Sequence, residues 1–255
     1  MKNYKLYIVG GYVRDKLLGL KSKDIDYACE FDEDFIKKYK NLSSSDFYTM
    51  MNITLKNEGF EIFLETPSCF TTRAKFPKGH INEKLTADFV LCRKEVYLDE
   101  NTRQPSVEIG NLYDDLERRD FKINAIAEDE NGNLIDPFDG IKDIERKILK
   151  CPIDAQISFN NDPLRMLRAI RFCVTKDFYM DDDIDTVIRY DEKMWIKFEK
   201  VVSRERVRDE IYKMMRHNSI ESMRLLTYLD NQSSIDVMGK IFKDDLWLEP
   251  TTKKK

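Results

Sequence analysis

Apolar residues fall in short runs over the first 150 or so positions and at helical spacing after them. Leu6-Tyr7-Ile8-Val9 reads as a buried strand that breaks at Gly10-Gly11. Residues 12–19 read as a helix, with Val13, Leu17 and Leu18 on one face and Gly19 as the stop. Asp24–Cys29 reads as a second strand, 46–57 as a helix, 60–64 and 87–97 as strands, and 112–129 as a helix. Between them, Asp99–Ser106 is polar, contains Pro105 and is expected to be a mobile loop. No glycine occurs between Gly140 and Gly239, and that stretch reads as helical almost throughout. The last five residues, Thr251 to Lys255, are expected to fray. The pattern predicts an α+β head over 1–150 and a helical region over 151–255.

Composition narrows the function classes. The chain has 255 residues, 42% hydrophobic and 35% charged, enough for a sizeable core and for two domains. Its formal net charge of −4 argues against a long basic RNA-wrapping surface. Arginines nevertheless cluster at 118–119, 165–171 and 204–208, where a triphosphate or an RNA end would meet a local positive field. Five cysteines without a C-x-x-C pair, and two histidines, predict free thiols and no zinc site. No apolar run approaches the roughly 20 residues of a membrane span, and the first 15 residues lack a signal-peptide core. No membrane role and a cytoplasmic location are therefore expected.

Three features carry candidate chemistry. Asp24 and Asp26 sit two residues apart, so on a strand their side chains share a face, about 7 Å apart along the backbone. Two carboxylates so placed suit Mg²⁺, and a pair of such ions can clamp both oxygens of an in-line phosphoryl displacement. A solvated surface pair is the plain alternative. Asp88 interrupts the apolar run Ala87–Leu91, where a lone charge is costly unless paired or metal-bound; an edge strand facing water would also tolerate it. Gly10-Gly11 allows close backbone approach to a phosphate, and Arg14 lies one turn into the following helix, although an ordinary strand-to-helix turn reads the same way.

The third feature is Asn161-Asp162-Pro163-Leu164-Arg165, which opens a helix with Asp162 as N-cap and Pro163 at the first position. Leu164, Leu167 and Ile170 suit a buried face, and Arg165, Arg168 and Arg171 lie elsewhere. Adenine and cytosine both present an amino donor beside a ring-nitrogen acceptor. One carboxylate and one guanidinium match that pattern, whereas guanine and uracil would leave buried groups unpaired at about 1–3 kcal/mol each. A helix cap with a solvated basic face is the alternative.

Taken in order, these segments resemble the class II CCA-adding enzyme and bacterial poly(A) polymerase family of the DNA polymerase β nucleotidyltransferase superfamily. The first motif is Gly10-Gly11-x-Val13-Arg14-Asp15, continuing to Asp24-x-Asp26. Arg118-Arg119-Asp120-Phe121-x-Ile123-Asn124-Ala125 resembles the second, and Asp136-Pro137-x-x-Gly140-x-x-Asp143 the third. Asp162-Pro163-Leu164-Arg165-x-Leu167-Arg168-Ala169-x-Arg171-Phe172 resembles the fourth, and Ser203-x-Glu205-Arg206-Val207-x-Asp209-Glu210 the fifth.

The resemblance implies a polymerase-β-like head built on a five-stranded mixed sheet, then a helical neck and a short body. It implies that Asp24, Asp26 and Asp88 are catalytic and hold Mg²⁺. It implies that Gly10, Gly11, Arg14, Arg119, Asp162, Arg165, Arg168 and Arg171 contact the nucleotide. The implied activity is template-independent addition of CTP- and ATP-derived nucleotides to an RNA 3′ end, most naturally that of a tRNA. A poly(A) polymerase and a non-catalytic nucleotide-binding relative are the alternatives. Asn161 stands where the family carries an acid, which loosens the expected hold on Asp162 or Arg165. The chain also ends soon after the fifth motif, so a dimer or partner protein is a further expectation for holding tRNA.

Overall fold

The computed structural model describes residues 3–22, 24–96 and 106–243. The expected loop lies outside these residues except for Ser106, and the frayed tail lies wholly outside. The chain divides into two compact units, the first reaching Arg146 and the second starting at Lys147.

In the first unit, β1 (Tyr4–Val9) leads through Gly10 into helix α1 (Gly11–Leu17), then β2 (Ile25–Phe31), α2 (Glu33–Lys38) and α3 (Ser44–Asn57). After these come β3 (Glu61–Thr66), β4 (Thr71–Lys75), β5 (Thr86–Leu91), β6 (Arg93–Val96), β7 (Ser106–Ile109) and α4 (Leu112–Glu117). The unit closes with β8 (Ala127–Glu128), β9 (Leu134–Ile135) and α5 (Gly140–Arg146). A seven-stranded sheet runs in the order β3-β4-β5-β2-β1-β8-β9. It is mixed, because β2 pairs with β5 in parallel while its other neighbours pair antiparallel. The head is thus the expected mixed sheet, with two short strands beyond the implied five.

Alternation along β2 sets the two faces. Ile25, Cys29 and Phe31 join Phe47, Met51 and Leu55 of α3 in one buried cluster. Asp26 and Ala28 point the other way, and Ala28 packs in a second cluster with Val9, Leu112, Leu116, Ala125 and Ala127. Every candidate of the first two motifs is therefore built on the second face or its rim.

Two expected elements differ. The strand expected over 87–97 breaks at Cys92. There the N–H still donates to Cys29 of β2, but the carbonyl accepts from Gly110, so pairing switches to the separate β6–β7 ladder. The helix expected over 112–129 stops at Glu117. The Asp120 carboxylate accepts from the Phe121 N–H and the Asn124 amide, offering the backbone an alternative to another helical turn. Phe121 is extended, a 3₁₀ turn covers Lys122–Asn124, and Phe121 and Ile123 are fully buried.

In the second unit, β10 (Ile148–Leu149) pairs in parallel with β11 (Tyr179–Met180), a small departure from the all-helical expectation. The helices are α6 (Ala155–Asn161), α7 (Leu164–Lys176), α8 (Asp182–Tyr190), α9 (Glu192–Val201), α10 (Arg204–Asn231) and α11 (Val237–Ile241). Leu164, Met166, Leu167, Ala169 and Ile170 of α7 are buried, and α10 packs along it. At Asn218 the backbone of α10 leaves helical geometry and the helix kinks. No described helix is long and apolar enough to cross a membrane.

Candidate functional site

The parallel register of β2 and β5 puts Asp26 directly beside Asp88, and β4 puts Arg73 directly beside Asp88 on its other side. Arg73, Asp88 and Asp26 therefore form a row across three neighbouring strands. Asp24 is exposed one residue before β2 begins rather than inside it. Burial raises the Asp26 carboxyl above its ordinary value; Arg119 opposes this, and Asp88 and Asp24 raise it further. A half-buried acid crowded by two others gains from a nearby cation, and hard carboxylate oxygens suit a divalent metal ion. Among the described residues, no three acidic side chains lie close enough together to hold an ion as arranged. Asp88 is committed elsewhere: its two oxygens accept from Arg73 Nε and Nη2, each at 2.6 Å.

Gly10 sits at φ 74, and a Cβ built there would lie 2.7 Å from Arg119 Nη1 and 3.6 Å from Asp26 Oδ2. Glycine supplies both the left-handed backbone and the space that Arg119 fills beside it, close to the Asp26 carboxylate. Arg119 Nε is buried without a hydrogen-bond partner, a donor in reserve beside the acids. Its Nη2 donates to Asp115 Oδ2 at 2.9 Å, and Arg118 Nε donates to Asp115 Oδ1 at 3.0 Å. Asp115 is fully buried, and the two guanidiniums pull its carboxyl down to about 2 against the opposing effect of burial.

Arg14, expected to grip a triphosphate, is buried. Its Nε donates to Asp15 at 2.8 Å and its Nη1 to Asn124 at 2.6 Å. In this arrangement it ties the first motif to the second. The third motif, an ordinary turn by its residues alone, does similar work. The Asp136 carboxylate accepts from the Gly140 and Ile141 N–H groups, and a Cβ at Gly140 would meet the Lys122 carbonyl at 2.2 Å. Only glycine lets α5 approach the second motif so closely.

The fourth motif belongs to the second unit. Asp162 is extended, Pro163 takes helical angles and α7 starts at Leu164, one residue later than expected. Asp162 Oδ1 accepts from the Leu164 N–H at 3.2 Å, and Oδ2 accepts from Arg206 Nη2 at 2.9 Å. Arg165 is buried rather than solvated and donates to Ser158 Oγ at 2.7 Å. Arg168 and Arg171 both face Glu210 of α10, which they hold below its ordinary pKa despite burial. The fifth motif therefore supplies the groups that fix the fourth.

Sequence reasoning missed Arg73, Asp115, Ser158 and the pairing roles of Arg206 and Glu210. Asp115 carried a local signal, since it stands three and four residues before Arg118 and Arg119, the spacing of neighbours on a helical turn. Arg73 carried none, because only strand register brings it to Asp88.

Residues 6–150 match the poly(A) polymerase head domain family. The chain is 34% identical to the tRNA nucleotidyltransferase of Schizosaccharomyces pombe, a match covering 88% of this chain and 46% of that protein. It is 30% identical to the CCA-adding enzyme of Lactobacillus gasseri, over 97% of this chain and 55% of that one. Among solved structures it resembles the Bacillus stearothermophilus CCA-adding enzyme in complex with CTP (TM-score 0.68, 26% identity, covering 92% of this chain and 49% of that one). It also resembles the Thermotoga maritima CCA-adding enzyme complexed with tRNA (TM-score 0.65, 26% identity, 93% and 48%). The chain spans about half the length of these relatives. Nucleotidyltransferases of this kind generally use a divalent metal ion. Matched over more than half its length, and carrying the mixed sheet with its row of acids, the chain belongs to the poly(A) polymerase head domain family of nucleotidyltransferases.

Proposed function

We propose that this chain adds CTP- and ATP-derived nucleotides to the 3′ end of tRNA, without a template and with Mg²⁺. The observation that carries the reading is the register that sets Asp26 beside Asp88, with Arg119 filling the space beside Gly10. The names and complexes of the relatives support the tRNA substrate.

Asp24 and Asp26 would hold the metal, with Asp88 as a third ligand once it leaves Arg73. Bound there, magnesium would activate the RNA 3′-hydroxyl and screen the triphosphate. That hydroxyl oxygen forms a bond to the α-phosphorus, the bridging bond to the β-phosphate breaks, pyrophosphate leaves, and the hydroxyl proton passes to solvent. Arg119, anchored by Asp115, offers a fixed positive charge without reorganisation at the moment of reaction. Asp162, steadied by Arg206, would accept from the amino group of adenine or cytosine, while Arg165 would donate to the ring nitrogen.

The test is single-nucleotide addition to tRNAs lacking CCA, CA or only the final A. The expected result is CTP use on the first two and ATP use on the third. Growth of long A tails from ATP alone would make the protein a poly(A) polymerase, and no addition under any condition would sink the enzymatic reading. In the same assay Asp162→Ala should relax discrimination against GTP and UTP by about tenfold, since one paired group carries about 1–3 kcal/mol of selection. Unchanged discrimination would reduce Asp162 to a helix cap.

A further inference from the structure

Arg73 belongs to none of the five motifs, yet it has the most specific polar contact in the row of acids. It stands on β4 exactly opposite Asp88 of β5, and its Nε and Nη2 each reach one carboxylate oxygen at 2.6 Å. This two-pronged fork occupies the in-plane front of the carboxylate, the lone-pair positions through which the group would meet a metal ion. Asp24 and Asp26 in turn contribute to raising the Arg73 pKa, after Asp88 itself, so the guanidinium sits in the field of all three acids.

We propose that Arg73 is a built-in counter-ion that competes with a divalent cation for Asp88 and thereby sets how tightly the head binds metal. The inference rests on the reading of Asp24 and Asp26 as metal-holding residues. With Arg73 engaged, the site offers two acids; when Arg73 swings away, it offers three. The Arg73 side chain is 48% exposed and that of Asp88 25% exposed, so water screens the pair and either arrangement is accessible. Arg73 is thus a positioning residue: it acts on Asp88 and touches no reacting atom.

A metal site that is competent only part of the time binds with an apparent affinity lowered by that fraction. A pair of ordinary surface strength, holding Asp88 most of the time, lowers the affinity about fivefold. Arg73→Ala should therefore bind Mn²⁺ about fivefold more tightly than the unaltered protein.

The experiment titrates the full chain with Mn²⁺, following the free ion by electron paramagnetic resonance, without nucleotide. Thermal melts check that each variant is folded. Arg73→Lys keeps the charge but cannot form the fork, so its affinity should move most of the way to that of Arg73→Ala. In an Asp88→Asn background, the gain from Arg73→Ala should fall below about twofold, since the group competed for is gone and only the field of Arg73 on Asp24 and Asp26 is left.

Three results would overturn the proposal. One is an Arg73→Ala affinity equal to or weaker than that of the unaltered protein. Another is Arg73→Lys binding like the unaltered protein, which would leave only the general field of a nearby charge. The third is an Arg73→Ala effect that persists at full size in Asp88→Asn. The underlying reading has its own control. Mn²⁺ binding that Asp26→Ala abolishes establishes the metal site whatever Arg73 does, and absence of binding in every variant overturns the metal reading and this proposal together.

Discussion

Asp24→Ala and Asp26→Ala are each expected to slow nucleotide addition by about a thousandfold or more, equivalent to roughly 4 kcal/mol of barrier. The expectation follows from the scarcity of alternatives. Asp26 is half-buried in the row of acids, and its neighbour Asp88 is shared with Arg73, so losing either Asp24 or Asp26 leaves the site with too few carboxylates to hold the ion firmly. The fold should survive both substitutions, because Asp24 is one of the charges that make Asp26 costly to ionise and removing either member relieves that repulsion. The informative measurement is a single-turnover rate at saturating nucleotide, paired with a thermal melt. A large rate loss with an unchanged melt separates a chemical role from a structural one. Full activity in either variant, or activity that persists in excess EDTA, rules out the metal mechanism.

How much of this was legible in the sequence depended on how local each signal is. β1 and β2 could be read because an apolar run meets a glycine pair and then an acid pair, and those signals lie within a few residues. The end of α4 could not, because it depends on the Asp120 side chain capturing two donors further along the chain. The break at Cys92 is less local still: its carbonyl leaves the main sheet for Gly110, eighteen positions on. β4 was missed because only Ala74 of its five residues, Thr71-Thr72-Arg73-Ala74-Lys75, is apolar, and the strand gains its identity from its neighbours. The same distinction runs through the site. Asp24, Asp26 and Gly10 announce themselves by spacing, whereas the Arg73 fork and the Glu210 clamp on Arg168 and Arg171 exist only after strands and helices pack. Arg14 combines both kinds of signal. Its place beside a glycine pair predicts a phosphate contact, and its guanidinium also donates to Asp15 and to the distant Asn124, a tie visible only in the fold.

Asp115→Ala is expected to destabilise the first unit by about 3–5 kcal/mol, because it strips the common partner from two guanidiniums held in a largely buried cluster. For a unit of this size that is a fall of roughly 10 °C in Tm. The carboxylate is 0% exposed, so solvent cannot replace what is lost. Glu95 gives Arg118 a second acidic neighbour at 3.4 Å, and Arg119 approaches Asp26, which makes Arg119 the group whose position suffers more. The same residue predicts a pH dependence with a definite sign. Burial alone would raise the Asp115 carboxyl, but Arg118 and Arg119 bring it from 3.8 down to about 2 in the folded protein. A depressed folded value means that the contribution, about 2 kcal/mol, is fully present above pH 3.8 and is lost as the pH falls from there towards 2. Urea melts of the unaltered protein and of Asp115→Asn between pH 6 and pH 2.5 read this directly. The gap between the two should be widest near neutrality and should close as acid protonates Asp115, because an uncharged carboxyl and an amide then serve the arginines alike. A gap of constant width down to pH 2.5 would mean that Asp115 acts through its shape and hydrogen bonds, not its charge. A melt for Asp115→Ala within 2 °C of the unaltered protein would mean that Glu95 and water hold the arginines without it, and that Arg119 owes its position to Gly10 alone.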